Sequence, residues 1–170
     1  KTYGEELKWL TTDKTRMKWV ANTIKDISSS GNTLILVDRI SAGEILEEQI
    51  EDAVFVSGST KNTDRKEQYD EISTATNKVI IATYGVAAVG INIPRIFNLV
   101  LIEPGKSFVR VIQSIGRGIR KAEDKDSVQI WDITSSCKFA KRHLGARKKF
   151  YKEANYPYNI EKINYENPYT

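Results

Sequence analysis

Cysteine is almost missing from this sequence: among 170 residues only Cys137 carries a thiol. No internal disulfide can form, and a reducing compartment is expected, cytoplasmic or its intracellular equivalent. There is also one histidine, and Cys137 with His143 makes a poor metal site because zinc normally takes three or four ligands. A structural thiol and a surface imidazole are the simpler expectation. No apolar run approaches the length that crosses a bilayer, and the opening Lys1-Thr2-Tyr3-Gly4-Glu5 has no secretory apolar stretch. A Gly-x-x-x-x-Gly-Lys-Ser/Thr phosphate loop is lacking: Gly105-Lys106-Ser107 imitates its end, but Val100 stands at the earlier glycine position. No Asp-Glu-x-Asp/His tetrad closes an apolar strand, and Asp70-Glu71-Ile72-Ser73 falls in a helical pattern. A Gly-x-Gly-x-x-Gly turn after the first strand is lacking too, since Asp38-Arg39-Ile40-Ser41-Ala42-Gly43 stands there, which argues against a Rossmann-type enzyme.

What is present is the composition of a globular domain. With 40% hydrophobic and 28% charged residues the chain can fold, and its length suits one sizeable core. The net charge of +4 and pI near 9.0 permit a polyanionic partner without demanding one. The placement of charge says more. Lys138, Lys141, Arg142, Arg147, Lys148, Lys149 and Lys152 follow one another with no acid between them.

Apolar periodicity at Met17, Val20, Ala21, Ile24 and Ile27 after Asp13 predicts a capped amphipathic helix ending at Ser28-Ser29-Ser30-Gly31. Strands are expected at Thr33–Val37, Val54–Val56, Lys78–Thr83, Phe97–Ile102 and Val128–Ile133, and a last extended piece at Tyr158–Ile160. Helices are expected from Ser41 through Ile50, Thr63 to Thr74, Ser107 to Gly116, and, strongly basic, Ser136 to Glu153. Strands alternating with helices, each strand nearly all apolar, argue for an α/β fold with a parallel sheet covered on both faces. Residues 1–12 read as an arm or linker end, 13–154 as the domain, and 155–170 as a tail packing on or extending it. Burial is the default for Trp9, Trp19 and Trp131, and for Phe139, Leu144 and Tyr151 of the basic helix.

In such a sheet ligands gather at the carboxyl ends of the strands. There the sequence places Asp38-Arg39, Ser57-Gly58-Ser59-Thr60 and Thr83-Tyr84-Gly85, loops whose small residues can expose N–H groups to a phosphate. Each alone is weak, because such residues also end strands for steric reasons. The strongest local signal is Gln113-Ser114-Ile115-Gly116-Arg117-Gly118-Ile119-Arg120. A helix would bring Gln113 and Arg117 onto one face with Arg120 three further on, and paired guanidinium groups can clamp a transferring γ-phosphoryl. A solvated, cation-rich helix end would look the same.

That segment matches Gln-x-x-Gly-Arg-x-x-Arg, motif VI of the superfamily 2 helicases. Ile81-Ala82-Thr83-Tyr84-Gly85 through Gly90-Ile91-Asn92-Ile93-Pro94 resembles their motif V, Leu34–Val37 their motif IV, and Gly58 to Arg65 the Gly-x-Thr-x-x-x-x-Arg stretch between. Order and spacing agree from about Asp13 to Ile133, and the flavour is that of the UvsW, XPB and RecG-like branch. The resemblance implies a C-terminal RecA-like motor lobe, a three-layer sandwich. It implies that Arg120 is an arginine finger to ATP held by the other lobe, with Arg117 on the same phosphate. Gln113, Gly90 and Asn92 would face the nucleotide. Asp38, Arg39, Gly58, Thr60, Thr83, Tyr84 and Gly85 would face nucleic acid, DNA ahead of RNA, both fitting the motifs. Asn92 departs from the usual Asp: it keeps an acceptor and adds a donor but loses the charge with which Asp would meet the ribose or metal-water network.

The lobe so implied needs a partner, the N-terminal RecA-like lobe holding ATP and Mg2+, and is not expected to turn over ATP alone. The same motifs also fit a double-stranded DNA translocase that does not separate strands, or a lobe with dead chemistry. Extra phosphate contacts from the basic helix compete with a plain solvated face.

Overall fold

The computed structural model describes residues 2–57, 66–67, 76–89, 93–94, 96–105, 108–120 and 128–163, with 93–94 and 116–120 described by backbone alone. In chain order these form α1 (Tyr3–Thr12), α2 (Lys14–Ser28), β1 (Thr33–Val37), α3 (Ile40–Gln49), β2 (Val54–Val56) and β3 (Val79–Thr83). Then come α4 (Tyr84–Ala88), β4 (Ile93–Pro94), β5 (Asn98–Ile102), α5 (Phe108–Gly118), β6 (Ile119–Arg120), β7 (Gln129–Ile133) and α6 (Lys138–Glu153). The helix expected at 63–74 lies outside the described residues.

Five strands make one parallel sheet in the order β2-β3-β1-β5-β7. Central β1 shows why the apolar runs behave as they do. Leu34 and Leu36 point to one face, into a core shared with Phe108, Val111 and Ile115 of α5. Ile35 and Val37 point to the other, against Met17, Val20 and Ile24 of α2 and Leu46 of α3. Side chains alternate across a strand, so a strand covered twice is nearly all apolar, and the one polar residue of β1, buried Thr33, is hydrogen-bonded to Gly31 O. Each fully buried Leu or Ile contributes about 1.5–3 kcal/mol. The result is the three-layer, RecA-like sandwich that the sequence implies.

At the edge, β7 is not buried on both faces: Gln129 and Trp131 are exposed while Ile133 is buried. Trp131 stays 39% exposed and Trp9 42% exposed, against the default of burial. Trp131 donates its indole N–H to Asn98 Oδ1 at 3.1 Å. Residues 156–163 form no strand; with Pro157 among them, they run exposed along the surface, Tyr156 and Tyr158 against the Tyr151 ring.

Residues 3–12 differ most from expectation. They form a helix opened by a capping box, in which Thr2 Oγ1 accepts from Glu5 N and Glu5 Oε2 accepts from Thr2 N. Leu7 and Leu10 are buried. Buried Glu6 accepts from the backbone N–H groups of Phe139 and Ala140, both at 3.0 Å. It thereby supplies the N-terminal cap that Cys137 does not give α6.

A candidate site at the carboxyl edge of the sheet

Because the five strands are parallel and in register, Asp38, Tyr84, Glu103 and Thr134 all leave the sheet at one edge. Asp38 receives the Arg39 Nε–H at 2.8 Å on Oδ2, while its Oδ1 is buried with no hydrogen-bond partner among the described residues. Thr83 caps α4, its Oγ1 accepting from Val86 N at 3.2 Å. The Tyr84 hydroxyl turns into the sheet and donates to Ile102 O at 2.9 Å. Burial, and secondarily the Asp132 charge, push its pKa well up, so it remains a neutral donor. Among the described residues, a Cβ on Gly85 would meet nothing closer than Thr83 Oγ1 at 3.8 Å. Backbone at Tyr84-Gly85, rather than the Tyr84 ring, is what this turn offers a ligand.

Beneath these loops lies a charged layer that the motif reading did not find. Glu103, at the end of β5 with φ of 45°, is buried against Arg16 of α2 and also accepts from Thr134 Oγ1 at 3.0 Å. Burial pushes its pKa from 4.5 up to about 7, outweighing the pull of Arg16, the Thr134 hydrogen bond and Arg147. Beside it, buried Arg147 of α6 grips Asp132 of β7 with two bonds of 2.6 and 2.9 Å and donates to Pro104 O at 2.9 Å. The Tyr151 hydroxyl donates to the same Asp132 at 2.8 Å, and burial raises its pKa. The signal available in the sequence was a charged residue directly after or within an apolar strand, Glu103 and Asp132. Their arginine partners, 87 and 15 residues away, carried none.

The other side of the site is α5 with its continuation. Ile112 and Ile115 face the core, while Gln113 is exposed. Ser114 donates to Ala88 O at 3.1 Å, tying α5 to the end of α4. Gln113 and Arg117 share α5, but Arg120 does not, contrary to the helical reading. The helix stops at Gly118, Gly116 and Gly118 being poor helix formers, and Ile119-Arg120 pairs in parallel with Ile93-Pro94. The motif V-like and motif VI-like segments thus meet, Pro94 opposite Arg120. Gly58, Thr60, Gly90 and Asn92 lie outside the described residues, as do the side chains of Arg117 and Arg120.

Residues 15–122 match the family described as helicase conserved C-terminal domain. Among curated proteins, the ATP-dependent DNA helicase uvsW of Enterobacteria phage T4 is 29% identical over 155 residues, covering 88% of this chain and 31% of that protein. Putative helicase 22 of Sulfolobus islandicus filamentous virus (isolate Iceland/Hveragerdi) is 33% identical over 104 residues, covering 59% of this chain and 18% of that one. The chain therefore spans under a third of the length of either. Among solved structures, T4 UvsW superposes with a TM-score of 0.82 at 22% identity, covering 97% of this chain and 38% of that one. The C-terminal domain of the DEAD-box protein Dbp5 gives 0.58 at 17% identity over 78% of each. At such identities these structures speak for the fold.

Proposed function

The chain belongs to the helicase conserved C-terminal domain family, and on that premise we propose that it is the second motor lobe of an ATP-dependent DNA helicase. In this reading Arg120 is the arginine finger and Arg117 its partner on the γ-phosphate of ATP, which a preceding RecA-like lobe holds with Mg2+. Gln113, Gly90 and Asn92 line the nucleotide side. Asp38, Arg39, Gly58, Thr60, Thr83 and the backbone of Tyr84-Gly85 hold the sugar-phosphate chain. The cations suit an anionic transition state, where guanidinium offsets developing charge. Magnesium, in this reading, belongs with the ATP on the other lobe. Alternate closing and opening of the lobes would move the grip along the polymer.

The observation that carries this reading is the β4–β6 pairing. It fixes the backbone of Arg120 beside the end of the motif V-like segment, so that a nucleic-acid turn and a nucleotide-sensing turn move together. In the protein carrying both lobes, Arg120→Ala is expected to lower DNA-stimulated ATP turnover by about 10³-fold or more while DNA binding and thermal stability stay near wild type. Unchanged turnover would discard the finger assignment. Strand displacement measured beside triplex displacement separates unwinding from translocation on duplex.

A further inference from the structure

Helix α6 has two faces. Ala140, Arg147 and Tyr151 are buried at positions that recur on one side of the helix. On the opposite side, Lys138, Arg142, Gly145, Lys149 and Lys152 recur at steps of four, three, four and three, and all five are exposed. Lys141 stands beside the row, also exposed. No carboxylate among the described residues forms an ion pair with any of these cations. Arg147, by contrast, is inside and consumed by Asp132. The basic run is therefore not uniformly solvated charge: it is sorted into one buried structural arginine and an outward, unneutralised row. The row runs for about 21 Å, at roughly 1.5 Å per residue.

Gly145 is the second, separate observation. It sits in the middle of this helix, where glycine lowers helix stability. A Cβ placed on it would meet nothing within 4 Å among the described residues, and its φ is not positive. Neither packing nor backbone conformation asks for glycine there. A bare backbone at the centre of a cationic row is what a closely approaching polymer needs.

The row also begins at the right place. Glu6 holds the first turn of α6 against α1, and Tyr3 of α1 packs on His143 and Phe139 and feels Asp38, Glu103 and Arg39. The N-terminal end of the row thus starts beside the carboxyl edge and the rest leads away from it. Of the α1 acids, Glu6 is buried in its cap, and Glu5 is engaged with Thr2.

We propose that the outward face of α6 is a second nucleic-acid track, holding the phosphodiester backbone of a strand that has left the carboxyl edge. The track rests on the reading that DNA crosses that edge. Lys138, Arg142, Lys149 and Lys152 supply the phosphate contacts, and Gly145 lets the backbone lie close between them.

Binding of the intact protein to a fluorescein-labelled oligo-dT strand and to a blunt duplex, each across a salt series, tests it. Arg142→Glu/Lys149→Glu is compared with the charge-matched control Lys14→Glu/Lys18→Glu on α2. Relative to the control, the α6 variant is expected to bind about tenfold or more weakly. Its plot of log K against log salt should flatten by roughly 1.4 for the single strand or 1.8 for the duplex, two phosphates' worth. The probe that shows the loss identifies the form of the strand, and loss on either supports the track. Gly145→Gln is expected to weaken binding while leaving the melting temperature unchanged or higher, which separates ligand approach from folding. Binding of the α6 double variant within twofold of the control on both probes overturns the track. If it does so while Arg120→Ala still abolishes turnover, the motor-lobe reading survives alone; a wild-type protein that binds neither probe overturns both.

Discussion

Replacing Asp132 by alanine should be the most damaging single change at the carboxyl edge. Arg147 is 2% exposed and Asp132 14% exposed at the side chain, so the guanidinium stranded by this change has no water to turn to. It would keep Pro104 O as an acceptor but lose both carboxylate bonds, and the Tyr151 hydroxyl would lose its acceptor as well. Removing one partner of a buried pair typically costs about 3–5 kcal/mol because an uncompensated charge stays behind. At about 2–4 °C per kcal/mol for a domain of this size, the melting temperature should fall by roughly 6–20 °C. Urea unfolding of the wild type, Asp132→Ala, Arg147→Met and the double variant measures the cost and the coupling in one cycle. The double variant should recover part of the loss, since it leaves no unpaired charge. A loss below about 1 kcal/mol for Asp132→Ala, or a double variant whose loss is the sum of the singles, would refute the view that the pair is a buried, mutually dependent unit.

Two further outcomes are expected. Folding raises the Glu103 pKa from 4.5 to about 7, so between those values the folded chain holds a proton the unfolded chain has lost, and stability falls as pH rises through that window. The stability of wild type relative to Glu103→Gln should therefore decline by up to about 3 kcal/mol from pH 4.5 to 7, read from denaturant midpoints across the range; a flat or rising difference excludes the raised pKa. At Gly43 an added Cβ would lie 2.4 Å from Phe55 Cζ, so Gly43→Ala should destabilise by about 1–2 kcal/mol, overpacking exceeding the gain in helix propensity. Phe55→Leu in the same chain should relieve most of that in a thermal melt.

What could be read in advance follows from how local each cause is. Thr33–Val37, Val79–Thr83 and Asn98–Ile102 announce themselves because burial on two faces makes them nearly all apolar, the buried Thr33 and Asn98 at their starts being hydrogen-bonded. Strand β7 obeys that rule only in part, since its outer edge has no neighbouring strand among the described residues. Helix α1 carries a local signature, the capping box Thr2-x-x-Glu5 before Leu7 and Leu10, but its mixed polarity reads as an arm. Its reason for being mixed, Glu6 serving a helix more than 130 residues away, is not a local property. The same holds for Arg16 with Glu103. Of the candidate site, the turns at Asp38 and Thr83 follow from strand ends, whereas the departure of Arg120 from its helix depends on the pairing with Pro94.

The bond from Glu6 to the first turn of α6 fastens the earliest described helix to the latest. Any fragment cut to begin at residue 13 would strip α6 of its anchor and bare the Phe139 ring, and should be a poorer specimen than one that keeps α1. In a working protein the same rivet means that a pull on the chain at α1 reaches α6 without first passing through the sheet.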